Sequence, residues 1–254
     1  MSDCEVRREE GPASMHIEDI PYTVNGESMV GHLAFDDHRA GLKPAVLVSH
    51  EGPGLDGHAK AIAEKLAGMG YTAFALDYHG NGEPPPMDQA MERIGAFRDD
   101  PDRACALALA GLEVLLAQPS TDPHRVAAIG YCYGGLLSLE LARTGANVKA
   151  VVGFHPGFGP ARTEASRRIR ARILMCCGTE DPFATRDQRA AFEVEMCEAS
   201  VSDWSLELYG GVGHSFTNPA ADMAGIPGVE YNAMAERRSW KSMLALLDEA
   251  LGPV

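Results

Sequence analysis

Cys132 stands at the centre of Gly130-Tyr131-Cys132-Tyr133-Gly134, a G-x-C-x-G run. The residues before it, HRVAAIGYC (124–132), read as a buried strand, and GGLLSLELARTG (134–145) reads as the helix that follows. A nucleophile between a strand and a helix sits on a sharp, strained turn, and the flanking glycines are needed because neighbouring chains crowd that turn. The turn lifts the side chain clear of the sheet and sets it over a helix N-terminus. There, free N–H groups and the positive end of the helix dipole favour a thiolate. The plainer alternative is a cysteine that fills core between packing glycines. The strand and helix on either side favour the nucleophile.

A thiol nucleophile needs a base, and the base needs an acid to orient it. Downstream of Cys132, the strand RILMCCG (172–178) runs into TEDP and presents Asp181, and WSLELYG (204–210) runs into GVGHSF and presents His214. Nucleophile, acid, histidine is the chain order expected with this kind of turn. Both residues fall beyond the carboxyl ends of strands, where open parallel sheets place functional loops. Glu180 competes for the role of acid; Asp181 is preferred because it holds the D-P position of a turn. An oxyanion hole would use the N–H of Tyr133 and a second N–H from SHEGPG, that of Gly52. Glu51 in the same loop has two readings. It is either a solvated loop carboxylate or a group that takes the thiol proton when substrate enters, since a buried carboxylate beside a thiol has a raised pKa.

Tyr78, His79, Tyr131 and His155 lie near strand ends and are candidates to line the substrate site, while Asp77 is expected to brace its own loop. Arg93 and Arg98 fall in a helical segment, either as contacts for a substrate carboxylate or as solvated surface.

The elements that must position these groups follow from patterning. HIEDIPYTV and ESMVGHLAF alternate like strands around Asn25-Gly26, a strong hairpin signal because both residues tolerate positive φ. Strands then alternate with helices: PAVLVSH (44–50), HAKAIAEKLAGMG (58–70), YTAFALD (71–77), helical material from about Met87 to Gln118, and the pair around Cys132. VKAVVGFH (148–155), RILMCCG, RDQRAAFEVEMCEAS, WSLELYG and NAMAERRSWKSMLALLDEAL continue the series. This predicts an α/β protein: a mostly parallel central sheet with helices on both faces and an antiparallel N-terminal hairpin. Residues 1–14 read as a disordered start and 15–254 as one domain, with no linker, repeat or composition shift to divide it. The short connection between the strands at 148–155 and 172–178 leaves no room for a large lid, which points to small substrates.

The 254 residues are 45% hydrophobic, enough for a sizeable core, and carry a formal net charge of −14. That balance argues against nucleic acid and anionic membrane surfaces, both of which reward clustered Lys and Arg. The charged opening MSDCEVRREEGPAS is not a signal-peptide core, and no apolar run reaches membrane-spanning length. Six cysteines without C-x-x-C or zinc-like spacing read as reduced thiols in a cytoplasmic protein. His50-Glu51 does not continue as H-E-x-x-H, and no G-x-G-x-x-G follows a strand. No metal or cofactor is expected, and a monomer or homodimer is.

The segments SHEGPGL, LDYHGNG, IGYCYGG, GTEDP, GGVGHSF and YNAMAERRSW together resemble the dienelactone hydrolase family, from about residue 16 to the C-terminus. The resemblance implies the α/β-hydrolase fold and cofactor-independent hydrolysis of small esters or lactones. It makes Cys132 the nucleophile, Asp181 the acid and His214 the base, and has Glu51 accept the thiol proton when substrate binds. Members acting on dienelactone hold its carboxylate with arginines, one shortly after the catalytic histidine; the corresponding HSFTNP here contains none. The alternatives are a ligand-binding or interaction protein on the same scaffold, and an acyltransferase.

Overall fold

The computed structural model describes residues 15–254, so the expected disorder of 1–14 lies outside the described residues. The chain opens with β1 (Met15–Val24) and β2 (Glu27–Asp36), paired antiparallel with Val24 opposite Glu27. Asn25 and Gly26 take φ of 51° and 85°. Two positive φ values in succession make the tight turn whose twist matches that of the strands.

Next come β3 (Lys43–Ser49), α1 (Gly57–Gly68), β4 (Thr72–Leu76), α2 (Met87–Asp99), α3 (Pro101–Leu116) and β5 (Thr121–Tyr131). The chain continues through α4 (Tyr133–Arg143), β6 (Ala150–Phe154), α5 (Thr163–Ser166), β7 (Arg172–Gly178), α6 (Arg186–Glu198), β8 (Trp204–Tyr209) and α7 (Ala233–Leu251). The helical material expected from Met87 to Gln118 is two helices rather than one. Pro101 has no N–H to continue α2 and instead opens α3, while the Asp100 side chain accepts from Arg103 N–H as the cap. Among the described residues no helix is long and apolar enough to cross a membrane.

The sheet order is β1-β2-β4-β3-β5-β6-β7-β8, parallel from β4 to β8, with β2 joining antiparallel to β4. Alternate residues of the inner strands feed two cores on opposite faces. Leu47, Ala128, Val151 and Cys177 pack with Leu107, Leu137 and Phe192 on one side. Val48, Ile129, Val152 and Cys176 pack with Leu66, Met243 and Leu247 on the other. The chain leaves β3 for β4 on one side and returns to β5 on the other, so the loops after β3 and β5 border the crevice where strand order reverses. Those are the loops of Glu51 and Cys132.

The helix that follows Cys132 is tethered by a buried cation. Arg143 donates to Glu140 at 2.5 Å, to Glu195 of α6 at 2.6 Å and to Ser166 Oγ at 3.0 Å. Each nitrogen of the fork meets an acceptor, which is what a buried guanidinium requires.

Candidate active site

Cys132 adopts φ 53° and ψ −119°, a conformation that L residues reach only when the surroundings enforce it. Three backbone bonds do so. Its N–H donates to Phe154 O at 3.0 Å, and its carbonyl accepts from Gly135 N at 3.0 Å and Gly157 N at 3.1 Å. The two glycines of the motif are steric necessities: a Cβ on Gly130 would strike the backbone of Gly134, and one on Gly134 would strike the carbonyls of Ser49 and His50. The close approach of β3, β5 and α4 thus depends on hydrogen at both positions.

Asp181 lies just past β7 and His214 in the loop after β8. His214 Nδ1 is 2.7 Å from Asp181 Oδ2, and Asp181 Oδ1 accepts from the N–H groups of Phe183 (2.8 Å) and Ala184 (3.1 Å). Glu180, the competitor, is exposed, and its carboxylate accepts from Thr179 Oγ1 instead. His214 is itself fixed by its backbone, with its N–H to Gly228 O at 2.6 Å and its carbonyl accepting from Glu230 N at 3.1 Å. The ring of Phe183 meets the imidazole edge-on, 5.0 Å between centroids.

Burial alone would lower the imidazole pKa. The opposing charges of an ionised Cys132 and of Asp181, with the Asp181 hydrogen bond, outweigh it and raise His214 to about 10. With Cys132 ionised, His214 therefore keeps its proton through the neutral range. Since the ordinary value is near 6.5, that proton stabilises the fold fully below the ordinary value and ceases to do so as pH rises through about 10. In Cys132→Ala the strongest raising influence is gone, so the His214 titration followed by NMR is expected to move down. An unchanged midpoint would mean that the thiol and imidazole do not interact.

Tyr133 opens α4, and neither its N–H nor that of Gly52 makes a hydrogen bond among the described residues. The loop carrying Gly52 is braced from below. Tyr78 OH donates toward His50 O (3.0 Å) and Glu51 O (2.8 Å), and its ring stacks on His50 at 3.6 Å. His79 Nε2 donates to Gly52 O at 2.8 Å. Tyr78 and His79, expected to line the substrate site, are buried and hold the loop's inward carbonyls instead, because those acceptors need donors once covered. Asp77 braces its own loop as expected, accepting from Val30, His79, Gly80 and Gly82 N–H groups. Tyr131 stacks on Phe154 at 4.8 Å, its hydroxyl buried and without a partner among the described residues.

Glu51 is buried rather than a solvated loop residue. Its Oε2 accepts from Asn218 Nδ2 at 2.7 Å, and Oε1, without a hydrogen bond among the described residues, lies 3.5 Å from His155 Nε2. Burial pushes its carboxyl up, with Asn218, His58 and His214 offsetting part of the rise. His155 sits beneath it, bonded to Thr217 Oγ1 at 2.8 Å; burial first, then the charges of His214 and His58, push its pKa well down, so it is neutral. The two arginines fall in different places. Arg93 lines an open cleft with Ser28, His79 and Arg103 that does not include the Cys–His–Asp group. Arg98 is exposed at the end of α2, its guanidinium beside Gly157.

The sequence reading missed Asn218 and Thr217. They follow His214 by four and three residues in HSFTN, and only the turn back toward Glu51 gives them a role.

The profile of the dienelactone hydrolase family matches residues 31–251. Among solved structures, m3DLH is 42% identical with a TM-score of 0.90, covering 93% of this chain and 99% of its own. A dienelactone hydrolase-like promiscuous phosphotriesterase from metagenomic libraries is 37% identical with a TM-score of 0.91, covering 95% and 100%. A carboxymethylenebutenolidase of Pseudomonas sp. is 30% identical over 71% of this chain and 77% of its own. The α/β-hydrolase fold is common to these structures and to the sheet described above. With its profile matched over nearly all the described residues, the chain belongs to the dienelactone hydrolase family of ester-bond hydrolases.

Proposed function

We propose that this protein hydrolyses small esters or lactones through a Cys132–His214–Asp181 triad, without a cofactor. The observation that carries the reading is Asp181 bonded to Nδ1 of a buried histidine whose Nε2 has no other partner among the described residues, with Cys132 on a strained turn at a helix N-terminus. Glu51 takes the Cys132 proton as substrate enters, a role that its burial and raised proton affinity support. The thiolate then forms an S–C bond at the carbonyl, and the carbonyl electron pair moves to oxygen, held by the N–H groups of Tyr133 and Gly52. Collapse restores the C=O and breaks the C–O bond as His214 gives its proton to the leaving oxygen. Water attacks the thioester, passes a proton to His214, and the C–S bond breaks to free the acid and the thiolate.

The name of the Pseudomonas relative supports a lactone as substrate. The 37% identity to a phosphotriesterase favours a second reading, in which the same thiolate attacks a neutral phosphotriester. Rapid mixing with p-nitrophenyl acetate is expected to give a burst of p-nitrophenol equal to the enzyme, with the acetyl mass on the peptide bearing Cys132. Turnover without any burst or acyl-peptide, under conditions that trap thioesters, would remove the covalent mechanism. Turnover of diethyl p-nitrophenyl phosphate would establish the second activity.

A further inference from the structure

Glu51 is a buried carboxylate with a single hydrogen bond among the described residues, and the donor is the uncharged amide of Asn218. That amide cannot be turned around. Asn218 Oδ1 accepts from Ala220 N–H at 2.9 Å, so the nitrogen must face Glu51. The backbone around it is equally tied. Asn218 N–H donates to Ser215 O at 2.9 Å, its carbonyl accepts from Ala221 N at 2.9 Å, and Ser215 at φ 54° makes the turn that directs the segment back across the site. The donor is therefore in place before any ligand arrives, whichever state Glu51 is in.

The other groups around Glu51 do not supply what Asn218 supplies. Asp56 and His58 face it from the start of α1, and His214 from the loop after β8. Tyr78 approaches from the end of β4 and Tyr131 from the end of β5, next to Cys132. None of these donates a hydrogen bond to the carboxylate. His155 is nearest, but its Nε2 is engaged by Thr217 at 2.8 Å and it carries no charge. No Lys or Arg lies within ion-pair distance of Glu51 among the described residues. A cationic donor would favour the charged carboxylate much more strongly than an amide does.

We infer that Asn218 is the positioning residue of Glu51: its oriented amide holds the carboxylate in place by one uncharged hydrogen bond and leaves it able to accept a proton. The inference rests on the proposed role of Glu51 as acceptor of the Cys132 proton. It assigns to the segment after His214 a second task, so that one loop carries the base and also sets the acceptor.

The test follows position 218 through the pH dependence of kcat/KM and of Cys132 alkylation by iodoacetamide. Asn218→Leu removes the only hydrogen bond to the Glu51 carboxylate among the described residues and is expected to lower kcat/KM about tenfold and raise the acid limb by about one pH unit. Asn218→Asp should raise the limb further, because two carboxylates then share the site. Asn218→Lys should lower it, and Asn218→Gln should recover part of the loss. Asn218→Ser keeps an oxygen for the turn but cannot span to Glu51, so it should behave like the leucine variant even if that variant folds poorly. In a Glu51→Gln background, changes at 218 should have no further effect on either profile. Acid limbs that ignore the residue at 218, in an enzyme whose activity depends on Glu51, would overturn the inference alone. Full activity in Glu51→Gln would instead overturn the role of Glu51 beneath it.

Discussion

Replacing Cys132 with alanine is expected to lower kcat/KM on short p-nitrophenyl esters by about 10⁴-fold or more, with the folded structure retained. Among the described residues no other thiol can substitute. Cys176 and Cys177 are buried in the sheet, and burial pushes both pKa values up. Cys105 is also raised, by burial and then by Glu140, and Cys197 is exposed on α6. The alanine variant keeps the backbone bonds to Phe154, Gly135 and Gly157 that hold the turn, so its thermal midpoint should stay within a few degrees of the parent. Equal turnover by the two proteins would dismiss the nucleophile. A companion measurement is the rate of iodoacetamide labelling, which should single out Cys132 ahead of the other thiols and disappear at that peptide in the variant.

The second large effect belongs to Asp181. Asp181→Asn is expected to reduce kcat by about 10³- to 10⁴-fold, while Glu180→Gln changes it less than about twofold. The reason is a forced tautomer. The N–H groups of Phe183 and Ala184 point at Oδ1 and accept nothing, so an asparagine must keep its oxygen there. Its NH₂ then faces His214 Nδ1, which has to become an acceptor, and the imidazole proton moves to Nε2. Such a histidine cannot take a proton at Nε2 from water and keep its bond to residue 181. The variant should also lower the His214 pKa, since one of the groups that raise it is gone. A Glu180→Gln enzyme as impaired as Asp181→Asn would reassign the acid.

These two residues differ in how they could be read. Cys132 is legible because its constraint is local: glycines two before and two after, a strand before and a helix after are all within one short stretch. The hairpin at Asn25-Gly26 is legible for the same reason, since positive φ at two adjacent residues is a property of those residues. The alternation of strands and helices likewise follows from side-chain periodicity within each segment, and it carried the sheet. Asp181 and His214 could be placed at strand ends, but the choice between Asp181 and Glu180 waited on direction. Successive residues after a strand point to opposite sides, and only the approach of the loop after β8 determines which side holds the histidine.

What the fold alone decided lies in groups that meet across long stretches of chain. Asn218 and Glu51 are 167 residues apart, and nothing in either segment marks the other. The same is true of His155 and Thr217, 62 residues apart. Tyr78 and His79 sit near a strand end, as read, but whether such a side chain faces a ligand or a neighbouring loop depends on which carbonyls that loop buries. Arg93 and Arg98 share one helical segment, yet one lines a separate cleft and the other adjoins the loop beyond Cys132, because helix orientation is set by packing and not by period. By itself the sequence determined the sharp turn at Cys132, the N-terminal hairpin and the alternation of strands and helices, all consequences of short-range sterics and hydrophobic alternation. Tertiary structure decided which carboxylate meets His214 and which hydrogen bond holds Glu51, because a buried polar group takes its partner from whatever the packed chain brings within reach.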